Sequence, residues 1–402
     1  MSDVVVIGAG QAAASLVARL RTKGHQGRIT LIGEEPVPPY QRPPLSKAYL
    51  LGEMEVERLY LRPEAYYTGV DIDLHLAASA TSIDRESKEV IAGGQTISYD
   101  QLVLCTGSIP RRLPASIGGA LDGVHVVRTL GDVDAMAAEC ISGKRVLIVG
   151  GGYIGLEAAA VCAKLGLDVT LVEATERILQ RVAAPETSAY FRTLHRSHGV
   201  DIREGIGLRR LIGDTHVTGA ELADGTTVET DFVIVGVGIA PATDLAEACG
   251  LEIDNGIKVD RAGRTSDPNI WAAGDCASFP QEDARLRLES VGNAIDMGEL
   301  VADNIMGADR SYQAKPWFWS DQYHVKLQIA GLNHGHDRIV VRDGGDGALS
   351  HWYYRGARLL AVDAMNDSRA YMVGKRLIDA GKSPDAALVA DPDTDLKTLL
   401  KA

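Results

Sequence analysis

Residues 145–166 read RVLIVGGGYIGLEAAAVCAKLG, and residues 169–174 continue VTLVEA. Val146–Val149 is an unbroken aliphatic run, which suits a strand buried on both faces of a parallel sheet. Three glycines follow, then an alanine-rich helical stretch, then a second strand ending in Glu173. Gly150, Gly152 and Gly155 hold the positions where such a turn needs a sharp bend, an approach clear of any Cβ, and close helix–strand contact. A helix opening on this turn offers free N–H groups and its positive dipole end to a phosphate. Glu173 stands where a carboxylate accepts hydrogen bonds from ribose hydroxyls.

The same pattern occurs about 140 residues earlier. Residues 4–20 read VVVIGAGQAAASLVARL and residues 29–35 read ITLIGEE. Here Gly8, Gly10 and Ala13 hold the three turn positions and Glu34 closes the unit. One such fingerprint is weak, because glycine turns also join strands to helices for packing alone. Two, each in strand–helix context and each followed by Glu, imply two dinucleotides with electrons passing between them. Glu173 would repel the extra phosphate of NADP, so NADH is favoured over NADPH unless Arg177 or Arg181 folds back to accept that phosphate.

A chain of 402 residues exceeds one core and fits two or three domains. A net charge of −13 argues against general nucleic-acid binding, without excluding a local basic patch. No apolar run reaches membrane-spanning length. The first strand starts within four residues of the N-terminus and leaves no room for a signal peptide, so the cytoplasm is expected. The five cysteines, Cys105, Cys140, Cys162, Cys249 and Cys276, form no CxxC or CxxxxC pair. Most are expected to be small buried hydrophobes. The histidines lack metal-ligand spacing, so no metal is expected; His195 and His198 share a helix and read as a solvated face.

Between the two fingerprints, residues 34–50 read EEPVPPYQRPPLSKAYL. Pro36, Pro38, Pro39, Pro43 and Pro44 argue against regular structure, and the rigid loop leading to Leu45, Ser46 and Lys47 could line a cofactor cavity or simply connect. Short strands are expected near 72–76 and 89–91. A buried strand at 100–105 meets Thr106 and Gly107. Strands near 200–203, 218–222 and 231–235 follow, the last meeting Gly236 and Gly238, well placed to pass a nicotinamide. The chain returns to its first domain around Ala240–Thr243 and forms strands over 257–275 ending at Asp275. A helix follows over 292–306, with Ser290 near its start. Beyond Trp317, the alternating stretches VKLQIAGL, RIVVRD, LSHWYYRG and RLLAVDAMN read as an antiparallel sheet, closed by helices near 367–380 and 395–401.

The succession GxGxxA, RPPLSKAYL, CTG, GGGYIGLE, GVG, WAAGDCA, ESVGNA and WFWSDQY resembles the FAD-dependent NADH:ferredoxin reductases. More closely, it is similar to the putidaredoxin reductase and ring-dioxygenase reductase family, which serves bacterial haem-thiolate monooxygenases and aromatic-ring dioxygenases. The resemblance covers essentially the whole chain, and WFWSDQY is its most discriminating part. It implies an α/β fold of glutathione-reductase type, with two Rossmann-like dinucleotide-binding domains and a C-terminal α+β domain. The implied boundaries are 1–112 and 244–316 for a discontinuous FAD domain, 113–243 for the NAD domain and 317–402 for the last.

Carried over by residue, the resemblance implies that Gly8, Gly10 and Ala13 hold the FAD pyrophosphate and that Glu34 takes the adenosine ribose. Ala80, Thr106, Gly107 and Arg128 join the FAD set, Ala80 through a backbone contact to adenine. Asp275 meets the ribityl chain, and Val291 lies where a helix N-terminus faces the flavin pyrimidine. Lys47 and Trp319 sit beside the isoalloxazine. Gly150, Gly152, Tyr153, Ile154, Gly155, Glu173, Gly236 and Gly238 hold NAD, with Glu157 near the nicotinamide. Lys47, Glu157 and Trp319 are thus the residues expected nearest the chemistry. Judged singly, Asp275 also suits a turn, Trp319 core packing, and Glu157 a solvated helix face. Gly292 departs from the proline of putidaredoxin reductase, so a softer helix start is expected.

The expected reaction is hydride transfer from NADH to FAD, with Lys47 and the helix near Val291 stabilising charge on the reduced ring. With no cysteine before Cys105, a thiol relay beside the flavin is not encoded. Electrons then leave directly, and single-electron transfer to a small [2Fe-2S] ferredoxin fits best. Steering toward an acidic partner points to Arg42, Arg58, Arg62, Arg310 and Lys315 as candidates. Other acceptors (rubredoxin, a quinone, or dioxygen as in an NADH oxidase) keep the same fold. A redox-sensing flavoprotein is a different class. A monomer or weak dimer is expected.

Overall fold

Aliphatic strands dictate where the sheets lie. In the computed structural model, which describes residues 2–401, Val4–Ile7 is fully buried and pairs in parallel with Ile29–Ile32 on one side and Gln101–Leu104 on the other. The sheet extends to Ile72–His75 at one edge and Ile270–Ala272 at the other, five parallel strands in all. The second fingerprint builds a sheet of the same kind. Arg145–Val149 lies between Asp168–Glu173 and Phe232–Val235, with Asp201–Glu204 and Val124–His125 at the edges. The C-terminal region is a five-stranded antiparallel sheet running from Trp317–Gln322 to Arg338–Gly345, against which the Ser368–Asp379 helix packs.

The chain forms two compact units. The first comprises Met1–Arg42, Glu55–Ile109 and Ile239–Pro316; the second comprises Pro43–Met54, Pro110–Gly238 and Trp317–Ala402. In the first unit the helices Gln11–Thr22 and Val291–Ile305 pack so closely that a Cβ on Gly298 would stand 2.4 Å from the Ala12 carbonyl oxygen. Arg19 locks the pair with a two-pronged bond to Asp303, 2.8 and 2.9 Å. Asp303 is held below the usual carboxylate range by these bonds and by Arg310.

Several expectations need correction. The proline-rich loop contains a 3-10 turn, Pro43–Ser46, because proline's fixed φ suits the first positions of a helical turn. The antiparallel sheet of Ala80–Asp84, Glu89–Ala92 and Gln95–Ser98 and the hairpins over 208–229 are fuller than the sequence pattern indicated. Their strands are half-exposed and short, which blurs the alternation. The last expected helix is a 3-10 turn, Leu396–Leu400, and a short helix, Ala386–Ala390, precedes it. The start at Gly292 is firm: Ser290 caps the helix by accepting from the Asn293 N–H at 3.2 Å.

Candidate functional site

In the first unit, strand Val4–Ile7 delivers its glycine turn against the end of strand Gln101–Leu104. Gly8 has φ +102°, and a Cβ there would lie 2.2 Å from the Cys105 carbonyl oxygen, so no side chain fits. At Gly10 nothing lies within 4 Å of a would-be Cβ, and no side chain caps the helix that Gly10 opens. The turn therefore presents uncapped N–H groups to open space, which fits a pyrophosphate. Ala13 is fully buried where the helix meets the sheet.

Other expected residues gather at the same end of the sheet. Thr106 Oγ1 donates to the Ala242 carbonyl at 2.7 Å, and Gly107 accepts from the Ala242 N–H at 3.0 Å. Asp275 lies in a turn, as its Gly-Asp context implies, and its Oδ2 accepts from Ser108 Oγ at 3.0 Å. Gly274 packs against Ala12, 3.0 Å from a built Cβ, and Val291 opens the neighbouring helix. Ala80 begins its strand two residues after Ala78, whose N–H bonds the Gly33 carbonyl at 2.9 Å. Glu34 follows the strand that pairs with Val4–Ile7. Its strand ends at Ile32, and the residue sits exposed in the following bend. The neighbouring Glu35 carries the contacts, accepting from Tyr40 at 2.7 Å and Arg42 at 2.8 Å.

In the second unit, the glycine turn meets the end of strand Phe232–Val235. A Cβ on Gly150 would stand 2.4 Å from the Gly236 carbonyl oxygen, while Gly152 faces open space and opens an uncapped helix. The residues again fit a dinucleotide pyrophosphate. Glu173 ends its strand, with Oε2 accepting from the Gly151 N–H at 2.7 Å and Oε1 from Thr175 N–H and Oγ1 at 2.8 and 2.7 Å. Arg177 turns to Ser188 Oγ and the Gln180 carbonyl, and Arg181 lies near Gly238. Tyr153 packs against Phe318 with ring centroids 4.9 Å apart and planes tilted by 37°, and Ile154 is exposed. Arg128 lies half-buried just before the helix that Thr129 caps.

Glu157 is 1% exposed, which overturns its reading as a solvated helix residue. It lies one turn into the Tyr153–Lys164 helix, on the side covered by the Pro43–Ser46 turn and strand Trp317–Gln322. Lys47 Nζ pairs with Glu157 Oε2 at 2.7 Å, Ser46 Oγ donates to the same oxygen at 2.7 Å, and Ser320 Oγ donates to Oε1 at 2.7 Å. Next to Ser320 on the same strand, Trp319 stacks on Trp317 at 5.5 Å and 19°, half-buried rather than in the core. His195 is fully buried, so the solvated-face reading fails for it; His198 is exposed as expected.

Sequence reasoning missed Ser320 and Gln322 and took His195 for a solvated residue, whereas Ser46 lay in the stretch read as a possible cavity lining. A signal existed: Ser320 and Gln322 are two apart on a strand, hence on one face. The fold also brings together the thiols of Cys140 and Cys162, which sequence spacing keeps apart. Their hydrogen bond lowers Cys140 from the usual thiol range and raises Cys162. Burial raises Cys105 and Cys276. Of the candidate steering cations, Arg42 and Arg310 are engaged by Glu35 and Asp303, while Arg58, Arg62 and Lys315 are exposed.

Comparison with known proteins agrees with this architecture. Residues 2–298 match the pyridine nucleotide-disulphide oxidoreductase family, and residues 317–400 match the reductase C-terminal domain. The chain is 44% identical over 99% of its length to a ferredoxin–NAD(P)(+) reductase of Sphingomonas sp., covering 97% of that protein. It is 40% identical to putidaredoxin reductase of Pseudomonas putida, covering 100% of this chain and 97% of the relative. The crystal structure of a covalent putidaredoxin reductase–putidaredoxin complex superposes with a TM-score of 0.96 at 39% identity, covering 100% of this chain and 98% of that one. The chain thus belongs to the pyridine nucleotide-disulphide oxidoreductase family, in its ferredoxin reductase branch.

Proposed function

We propose that this protein takes a hydride from NADH onto FAD and passes electrons singly to a small [2Fe-2S] ferredoxin that feeds a monooxygenase or ring dioxygenase. The observation carrying this reading is the pair of open, uncapped glycine turns, one in each unit, at the ends of parallel strands. Relatives of 44% and 40% identity that are named as ferredoxin and putidaredoxin reductases support the choice of acceptor. The net reaction balances as NADH plus two oxidised ferredoxins giving NAD⁺, two reduced ferredoxins and one proton.

FAD, when bound, supplies the exchange between two-electron and one-electron chemistry. The chain's own residues bind and orient. Gly8, Gly10, Ala13, Glu34, Ala80, Thr106, Gly107, Asp275 and Val291 are assigned to FAD, and Lys47, Arg128 and Trp319 complete that set. Gly150, Gly152, Tyr153, Ile154, Gly155, Glu173, Gly236 and Gly238 are assigned to NADH, and Glu157 to the nicotinamide end. Lys47 pairs with Glu157, and the positive end of the Val291–Ile305 helix lies at Ser290. The carboxylate of Glu173, with Arg177 turned away to Ser188, supports NADH over NADPH. The three-domain division at 112/113, 243/244 and 316/317, action in the cytoplasm, and a monomer or weak dimer belong to the same proposal. No helix among the described residues is long and apolar enough to cross a membrane.

Anaerobic titration with NADH followed by addition of a [2Fe-2S] ferredoxin tests the reading. Flavin bleaching by about one equivalent of NADH, then rapid recolouring on adding ferredoxin, is expected. Rapid NADH consumption with dioxygen alone, unchanged by ferredoxin, would replace it with an oxidase.

A further inference from the structure

The Glu157 carboxylate is the end of a longer buried chain within the second unit. Ser320 Oγ donates to Glu157 Oε1, so its oxygen is free to accept, and Gln322 Nε2 donates to it at 3.1 Å. That fixes the amide: Gln322 Oε1 must accept, and it does so from His195 Nε2 at 2.8 Å. His195 Nδ1 is then left unprotonated and accepts from Tyr323 OH at 3.2 Å. Every donor points the same way, from the hairpin tip at Tyr323 toward Glu157.

These groups are expensive to bury. Ser320, Gln322 and His195 are each 0% exposed, and Glu157 is 1% exposed. Burial holds His195 neutral, its pKa lowered to about 4, and the accepting Gln322 Oε1 selects the Nε2–H tautomer. Tyr323 sits at φ +55°, a left-handed backbone that a residue with a side chain adopts only under constraint; its ring lies over His198 at 3.7 Å and edge-on to His195 at 5.0 Å. The chain is not a proton wire, because the Gln322 amide cannot hand a proton on. It is suited to orientation: with Oε2 taken by Lys47 and Ser46 and Oε1 by Ser320, the carboxylate is held in one rotamer and Oε1 keeps one acceptor direction.

We propose that His195, through Gln322 and Ser320, is a positioning residue that fixes the Glu157 carboxylate toward the nicotinamide end of NADH. The proposal rests on the assignment of Glu157 to the NAD site made above. Of the titratable groups around Glu157, Lys47 faces it from the segment after the 3-10 turn and Tyr153 from its own helix; His195 reaches it only through the relay.

The test is NAD⁺ affinity of the oxidised, FAD-loaded protein, measured by calorimetry, together with the steady-state KM for NADH against kcat. Ser320→Ala removes a donor to the carboxylate, so affinity should fall about fivefold while FAD is retained, and Ser320→Thr should restore it. Gln322→Leu and His195→Leu should lower affinity by less, and His195→Gln, which keeps an N–H donor, should return it toward the parent. If Glu157→Gln lowers affinity but none of the relay variants does, the positioning role is overturned while the Glu157 assignment stands. If Glu157→Gln leaves affinity and KM unchanged, the assignment fails and the proposal falls with it. Should His195→Leu fail to fold, the Ser320→Ala and Ser320→Thr pair decides the matter.

Discussion

The two glycine turns are built alike and finished differently. Each follows a buried parallel strand and opens an uncapped helix. In the first, Ala13 fills the third fingerprint position and its methyl is fully buried. In the second, Gly155 fills it, and a Cβ there would stand 2.1 Å from the Gly150 carbonyl oxygen. The first turn's carboxylate, Glu34, stands exposed, whereas Glu173 bonds back onto the Gly151 N–H. Seven residues after the first glycine, the first turn has Ser15, half-buried and bonded to Gln11 on its own helix. The second has Glu157, buried under Lys47. One fingerprint is finished as a holder; the other carries a charged group that Ser46, Lys47 and Ser320 of its own unit keep in place.

Breaking that contrast at its sharpest point gives the largest effect. Glu157→Ala leaves Lys47, itself largely buried, without its partner, and should cost about 3–5 kcal/mol of stability. Ser15→Ala should cost about 0.5 kcal/mol or less. Denaturant melts of the two variants measure both, and equal costs would erase the distinction. The next contrast lies in the third fingerprint position. Gly155→Ala drives a methyl into backbone and should cost about 1–3 kcal/mol with loss of NAD⁺ binding, while FAD retention persists. Ala13→Gly, which only loosens a helix, should cost about 1 kcal/mol. Calorimetry with each nucleotide reads the pair.

A third prediction concerns pH, since the second unit carries buried groups that titrate on the acid side of neutrality. Burial lowers His195 and His351 to about 4, so the unfolded chain binds protons that the folded one refuses, and their contribution to stability is lost as pH falls from about 6.5 to 4. Burial raises Asp363 to about 6 against the bonds from Tyr353 and Thr187, so its contribution runs the other way and is lost as pH rises from about 4 to 6. Asp363→Asn removes the opposing member, and stability should then climb more steeply between pH 4 and 6, by on the order of 2 kcal/mol across that window. Melting curves at several pH values that overlay the parent's would show that Asp363 ionises normally. The smallest effect belongs to the ribose carboxylate: Glu173→Ala should raise the use of NADPH relative to NADH by on the order of tenfold, about 1.4 kcal/mol. Steady-state kcat/KM with the two nucleotides checks it, and an unchanged ratio would remove Glu173 from cofactor choice.

What the sequence determined by itself was whatever a few neighbouring residues settle. Val4–Ile7 and Val146–Val149 announce buried strands because no polar residue interrupts them, and Gly8 and Gly150 announce turns because only a missing Cβ permits their backbone. The alternation after Trp317 likewise gave the C-terminal sheet. Burial of single polar residues was decided by tertiary structure alone. Glu157 and His195 sit on helices whose own sequences allow a solvated face, and they are interior only because the Pro43–Ser46 turn and the Trp317–Gln322 strand, more than a hundred residues away, close over them. Local pattern fixes backbone conformation, which depends on sterics within a few residues. The environment of a side chain depends on which distant surface packs against it, and that is where the charge, the hydrogen-bond order and the chemistry of Glu157 are set.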